Sequence, residues 1–207
     1  MAAVDVGSLA NIGWWRSAGD GAGDGGRDLD VLVDRLVLDL RAGAGVALGF
    51  EAPLFIPRPP TSGGLNRQRL GERGRPWCAG AGAGALALGV QQATYVLSRI
   101  AAGVHPRPVV AFDPAELIAG TADLVVWEAF VSGRAKNRDA VEPHIDDARV
   151  AVAEFEARLA AGAVASDVGD VEVLNLAGAA LLAVGLTDEI AMLRRPCVVV
   201  RVPDRVT

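Results

Sequence analysis

At 207 residues, 51% of them apolar and 22% charged, the chain is expected to form a single soluble domain around one core, and wholesale disorder is excluded. A net charge of −5 provides no global attraction to polyanions, so a nucleic-acid partner, DNA or RNA, would need a local basic patch or bridging cations. Cys78 and Cys197 lie far apart without a CxxC spacing, and no basic, apolar-cored leader opens the chain, which leads to the expectation of a reduced, cytoplasmic setting without zinc or disulfides.

The first element is Ala2–Ser8, AAVDVGS, an apolar strand carrying one acid, Asp5. A carboxylate in so apolar a run is costly unless something cationic meets it. Asn11–Ser17, NIGWWRS, reads as a second strand returning beside the first. Its alternation sends Trp14 and Trp15 to opposite faces, one to the core and the other to packing or to an exposed stacking surface. Gly19–Gly26, GDGAGDGG, lacks the ligand spacing of a calcium loop and is expected to be a flexible turn.

From Asp28 to Arg41 the residues Leu29, Leu32, Val33, Leu36, Val37 and Leu40 recur at three- and four-residue intervals, which predicts an amphipathic helix stopping near Gly43. Gly45–Phe50 is a buried apolar strand ending at Glu51. The intervening helix implies a right-handed crossover, so this strand should lie beside the first and parallel to it, with Asp5 and Glu51 on one edge and the Asp5 strand central.

Pro53–Pro76 is rich in proline, glycine and arginine, including Arg58, Arg67, Arg69, Arg73 and Arg75, and has no sustained period. It is expected to be a long loop insertion, extending to residue 84, that lies near the acids either as a phosphate-contacting arm through Arg67, Arg69 and Arg73 or as a surface excursion. Cys78–Gly84, CAGAGAG, has neither the Lys-Ser/Thr of a phosphate loop nor a GxGxxG after a strand, so close packing explains it better than phosphate binding. A helix follows over about 85–102.

Asp123–Phe130, DLVVWEAF, predicts another strand, with Glu128 near its end. A polar connection carries Lys136, the only lysine in the chain. Pro143 is well placed to start a helix over His144–Ala161. His144 and Asp147 share one flank of its first turn, where acids are also favoured simply by the helix dipole. Val171–Leu186 is expected to be a further helix, too short and too polar at Glu172 and Asn175 to span a bilayer, and Cys197–Val202 a last strand.

Asp5 in VDVGS, Glu51 closing GVALGFE, and Asp147 in HIDDARVAVA resemble the ribonuclease H-like superfamily, in particular its predicted nucleases of uncharacterised function, whose final motif also runs D-D-A followed by alanines. The resemblance implies an α/β fold, a mixed β-sheet with helices on both faces, and metal-dependent hydrolysis of phosphodiester bonds in nucleic acid. It further implies that Asp5, Glu51 and Asp147 hold Mg²⁺ or Mn²⁺. Glu128 would be a fourth catalytic acid or an alternative, Asp146 the competing choice in the last motif, and His144 a group orienting water or phosphate. Superfamily members open with an antiparallel meander of three strands, and Gly19–Gly26 occupies the place of the third.

Two other functions remain open. VDVGS also resembles the first phosphate loop of sugar-kinase and actin-like ATPases, which implies nucleotide binding or phosphoryl transfer. Those proteins need two such domains around a cleft, and this chain has the length for one unless it dimerises. The last possibility is a noncatalytic scaffold or interaction protein whose acids serve as caps and solvated strand ends.

Overall fold

The computed structural model describes residues 1–18, 22–72, 76–132, 135–137 and 139–204, so Arg73 and Arg75 of the arginine-rich segment and residues 19–21 of the glycine run lie outside it. The chain is α/β, with a mixed seven-stranded sheet. Strand β1 (Ala2–Asp5) lies inside it, antiparallel to β2 (Gly13–Ser17) and parallel to β4 (Val46–Phe50). Strand β3 (Gly23–Gly26) pairs antiparallel with the outer side of β2. On the far side of β4 lies β7 (Leu124–Phe130), parallel to β4, and beyond it β6 (Val110–Ala111) and β9 (Val199–Arg201) both run parallel to β7.

Helices cover both faces of the sheet. On one face, α1 (Leu29–Arg41), α2 (Ala81–Gly103) and α5 (Leu176–Ala183) pack on Val4, Leu48, Phe50 and Val126. The predicted periodicity of α1 is realised, with Leu32, Val33, Leu36, Val37 and Leu40 buried and the Asp28 side chain accepting from the Asp30 N–H to cap its start. Burial of this kind contributes about 1.5–3 kcal/mol per large side chain, so a change such as Leu36→Ala would weaken the whole face. On the other face, α4 (Pro143–Ala160) sets Ala148, Ala151, Val152 and Phe155 against Ala3, Ala47, Val125 and Trp127. Phe155 meets Trp127 ring to ring, with centroids 4.5 Å apart.

Three departures from the expected elements have local causes. The glycine run is not merely a turn, because residues 23–26 form β3. A Cβ at Gly23 would lie 2.5 Å from the Trp15 ring and one at Gly25 2.8 Å from it, so the tryptophans of β2 require glycine at these positions of the neighbouring strand. The long loop contains strand β5 (Phe55–Pro57), paired antiparallel with β8 (Val173–Asn175) in a small second sheet, and it ends where α2 begins at Ala81. Residues 171–175 are therefore not helical. Helix α5 begins only at Leu176, where Asn175 Oδ1 accepts from the Gly178 N–H at 2.9 Å. A short helix α3 (Pro114–Ile118), capped by Asp113, and two 3-10 turns, Ser62–Gly64 and Ile190–Arg194, complete the described elements, none of which is a helix long and apolar enough to cross a membrane.

Candidate metal centre

Strand parity decides which acids can meet. Ala3 faces α4 and Val4 faces the opposite core, so Asp5, at the end of β1, returns to the α4 face. Strand β4 runs parallel to β1 with Val4 opposite Phe50, and the Glu51 N–H donates to Val4 O at 2.8 Å. Glu51 therefore emerges beside Asp5 at the same end of the sheet. Helix α4 crosses this end closely because β2 offers Gly13, where a Cβ would stand 2.4 Å from the His144 carbonyl carbon. One turn into α4, Asp147 is buried facing the strands, whereas Asp146 turns outward to Arg149.

The structure thus brings Asp5, Glu51 and Asp147 together from three distant segments, with one carboxylate oxygen of each lying within 4.8 Å of the others. Lys136 enters this cluster. Its Nζ lies 2.6 Å from Asp147 Oδ2, 2.8 Å from Glu51 Oε1 and 3.8 Å from Asp5 Oδ1. His144 Nδ1 lies 2.5 Å from Asp5 Oδ2, so the imidazole orients an acid of the cluster directly. Two buried oxygens, Glu51 Oε2 and Asp147 Oδ1, find no hydrogen-bond partner among the described residues.

The electrostatics follow from three carboxylates facing one ammonium. Burial, and then the adjacent Asp5, push the Glu51 carboxyl well above the usual carboxylate range, with Lys136 opposing. Asp147 is raised chiefly by its burial, again against the pull of Lys136. Burial works against the charge on Lys136, yet Glu51, Asp5 and the hydrogen bond to Asp147 outweigh it and hold the ammonium above its ordinary value. The cluster carries more negative charge than Lys136 balances, and either a proton on Glu51 or a further cation relieves the excess.

Glu128 does not join this group. It lies opposite Phe50, one residue short of Glu51, and strand alternation after Val126 and Trp127 turns it to the α2 face. There Arg69 donates to both of its oxygens at 2.7 Å, and the Leu54 N–H adds a third bond at 3.0 Å. Arg69 also binds Glu72, lies over the Phe55 ring and is only 1% exposed. This overturns the reading of Arg69 as a nucleic-acid contact, since it fixes the loop to β7 instead. Arg67 is ion-paired with Asp170, and Arg73 lies outside the described residues.

The acids open onto a cavity of about 490 Å³ whose lining includes Asp5, Glu51, Lys136, His144, Glu72 and the start of α2. The loop therefore borders the site through Glu72 rather than through Arg67 or Arg69. Lys136 is the central residue that sequence reasoning left unassigned. The signal was a single lysine in a chain whose other basic residues are all arginine, although nothing local placed it among the acids. No family model, no curated protein and no solved structure matches this chain, so the site is read from its own geometry.

Proposed function

We propose that the chain is a metal-dependent nuclease of ribonuclease H-like fold that hydrolyses phosphodiester bonds in nucleic acid with Mg²⁺ or Mn²⁺. The observation that carries this reading is the pair of buried oxygens, Glu51 Oε2 and Asp147 Oδ1, without a partner among the described residues, within a cluster of three acids whose ligand atoms lie within 4.8 Å of one another. Hard oxygen donors suit Mg²⁺ and Mn²⁺, and a divalent ion would balance the charge that Lys136 leaves uncompensated. The strand order β3-β2-β1-β4-β7, an antiparallel meander followed by parallel strands, supports the superfamily resemblance.

In this reading Asp5, Glu51 and Asp147 hold the ion and His144 keeps Asp5 in its rotamer. Lys136 competes with the ion for the same carboxylates. Once bound, Mg²⁺ or Mn²⁺ supplies an activated water and stabilises charge developing on the phosphate. Thermal melts with and without Mn²⁺, alongside cleavage of DNA and RNA, test the proposal. Mn²⁺ should raise the melting temperature of the wild type and support cleavage, and Asp5→Asn should lose both responses.

Lys136 also favours a second reading, a noncatalytic scaffold in which its ammonium, together with a proton on Glu51, permanently balances the acids. A melting temperature that stays flat through the Mn²⁺ titration selects that reading. The nucleotide-binding or phosphoryl-transfer alternative gains no comparable observation.

A further inference from the structure

A second, larger cavity of about 720 Å³ adjoins the acidic one, and the two share Gly7, Ser8 and Leu88. Its walls combine apolar surface from Leu9, Leu88 and the Tyr95 ring with the amides of Gln91 and Gln92 and with the charged side chains of Arg27, Asp28 and Asp30, the last of which accepts from the Tyr95 hydroxyl. Leu9, in the turn after the buried first strand, is 91% exposed at this rim. Gln92 is 9% exposed; its Nε2 donates to Gly7 O at 2.5 Å, which ties the turn after β1 to α2, and its Oε1 has no partner among the described residues. Apolar and aromatic walls beside the amide of Gln91 and the carboxylates of Asp28 and Asp30 suit a flat heteroaromatic ring bearing N–H groups.

The basic residues point the same way. A duplex bound from outside needs several cations along its phosphate tracks. Among the described residues Arg16, Arg27, Arg67, Arg69, Arg149 and Arg195 engage carboxylates of the protein itself, while Arg41 and Arg201 donate to backbone carbonyls. With a net charge of −5, the chain as a whole does not attract a polyanion. A base entering a pocket supplies binding that does not depend on those charges.

Resting on the nuclease reading, we propose that this cavity is a nucleobase subsite, so that the substrate is a single strand with one unstacked base lodged between Leu9, Leu88 and Tyr95 beside the acidic cluster. Pairing within a duplex hides the base edges and stacks the faces, so a paired base would first have to leave its helix. Binding to single strands should accordingly show a shallow salt dependence.

The test is calorimetric titration of the full chain with adenosine, AMP, UMP and inorganic phosphate, without metal, for the wild type and for Leu88→Trp and Leu9→Ser. Leu88 and Leu9 are both exposed, and a melt of each variant checks that it is folded. Adenosine and AMP should bind the wild type, and Leu88→Trp, which fills the cavity, should weaken both by roughly tenfold or more, with a smaller loss for Leu9→Ser. The subsite is overturned if adenosine does not bind, if both folded variants bind it as the wild type does, or if phosphate alone displaces it. The two proposals fail separately: nucleoside binding without Mn²⁺-dependent cleavage keeps the subsite and removes the nuclease, whereas cleavage of duplex and single strand alike without nucleoside binding does the reverse.

Discussion

Two buried charge clusters lie near the same end of the sheet, on opposite faces. Around Arg69, every carboxylate is matched: Glu128 receives both arms of the guanidinium and a backbone N–H, and Glu72 accepts from the Arg69 side chain and from its backbone N–H at 3.0 Å. Around Lys136, three acids share one ammonium and two oxygens are without partners among the described residues. The first cluster is complete as built and holds the loop to β7. The second is not matched in this way, and that imbalance, rather than burial of acids as such, is what the proposed metal site rests on.

The largest effect should come from breaking the complete cluster. Arg69→Ala leaves Glu72 and Glu128 buried without their counter-ion, and we expect a loss of about 3–5 kcal/mol of folding stability in urea denaturation. A loss no larger than that of a surface ion pair would mean that the two clusters do not differ as described.

In the Lys136 cluster, neutralising an acid should have the opposite sign. Asp5→Asn or Glu51→Gln should leave metal-free stability unchanged or raised, because each relieves repulsion among carboxylates, while removing the Mn²⁺-induced rise in melting temperature. Lys136→Met removes a positive charge from the ion's neighbourhood and should tighten Mn²⁺ binding by roughly tenfold, read as a lower midpoint in the same titration. Weaker binding would show that Lys136 organises the acids for the ion instead of competing with it.

A pH series sharpens the contrast further. The folded state holds the Glu51 proton more tightly than the unfolded chain does, so between the ordinary carboxylate range and the raised folded value the unfolded state binds fewer protons. Stability of the metal-free protein should therefore fall as pH rises through that window. Glu51→Gln should flatten this slope in thermal melts between pH 4 and 8 (roughly the span above the usual carboxylate range). The smallest effect belongs to Asp146→Asn, which should leave the Mn²⁺ shift as it is in the wild type, since Asp146 faces Arg149 rather than the cluster.

Much of the frame was legible in the chain. The spacing of Leu32, Val33, Leu36, Val37 and Leu40 specified α1 because a helix repeats every 3.6 residues whatever it packs against. The apolar runs ending in Asp5 and Glu51, joined through a helix, specified neighbouring parallel strands because the crossover has only one favoured hand. It was the resemblance carried by VDVGS, GVALGFE and HIDDARVAVA that pointed to Asp5, Glu51 and Asp147, with Glu128 as a further candidate and Asp146 as the competing choice, and the frame alone did not separate them.

What escaped the sequence depended on partners distant along the chain. Residues 23–26 form a strand beside Trp14 and Trp15, whose rings leave room only for glycine at 23, 25 and 26, and glycine content alone reads as a turn. Phe55–Pro57 and Val173–Asn175 are strands only because they pair with each other. Arg67 and Arg69 looked like phosphate contacts until folding placed Asp170 and Glu128 beside them. Composition could show that Lys136 is the only lysine, but an ammonium's position is set by the fields of carboxylates on other elements, and only the tertiary structure carries Asp5, Glu51 and Asp147 to it.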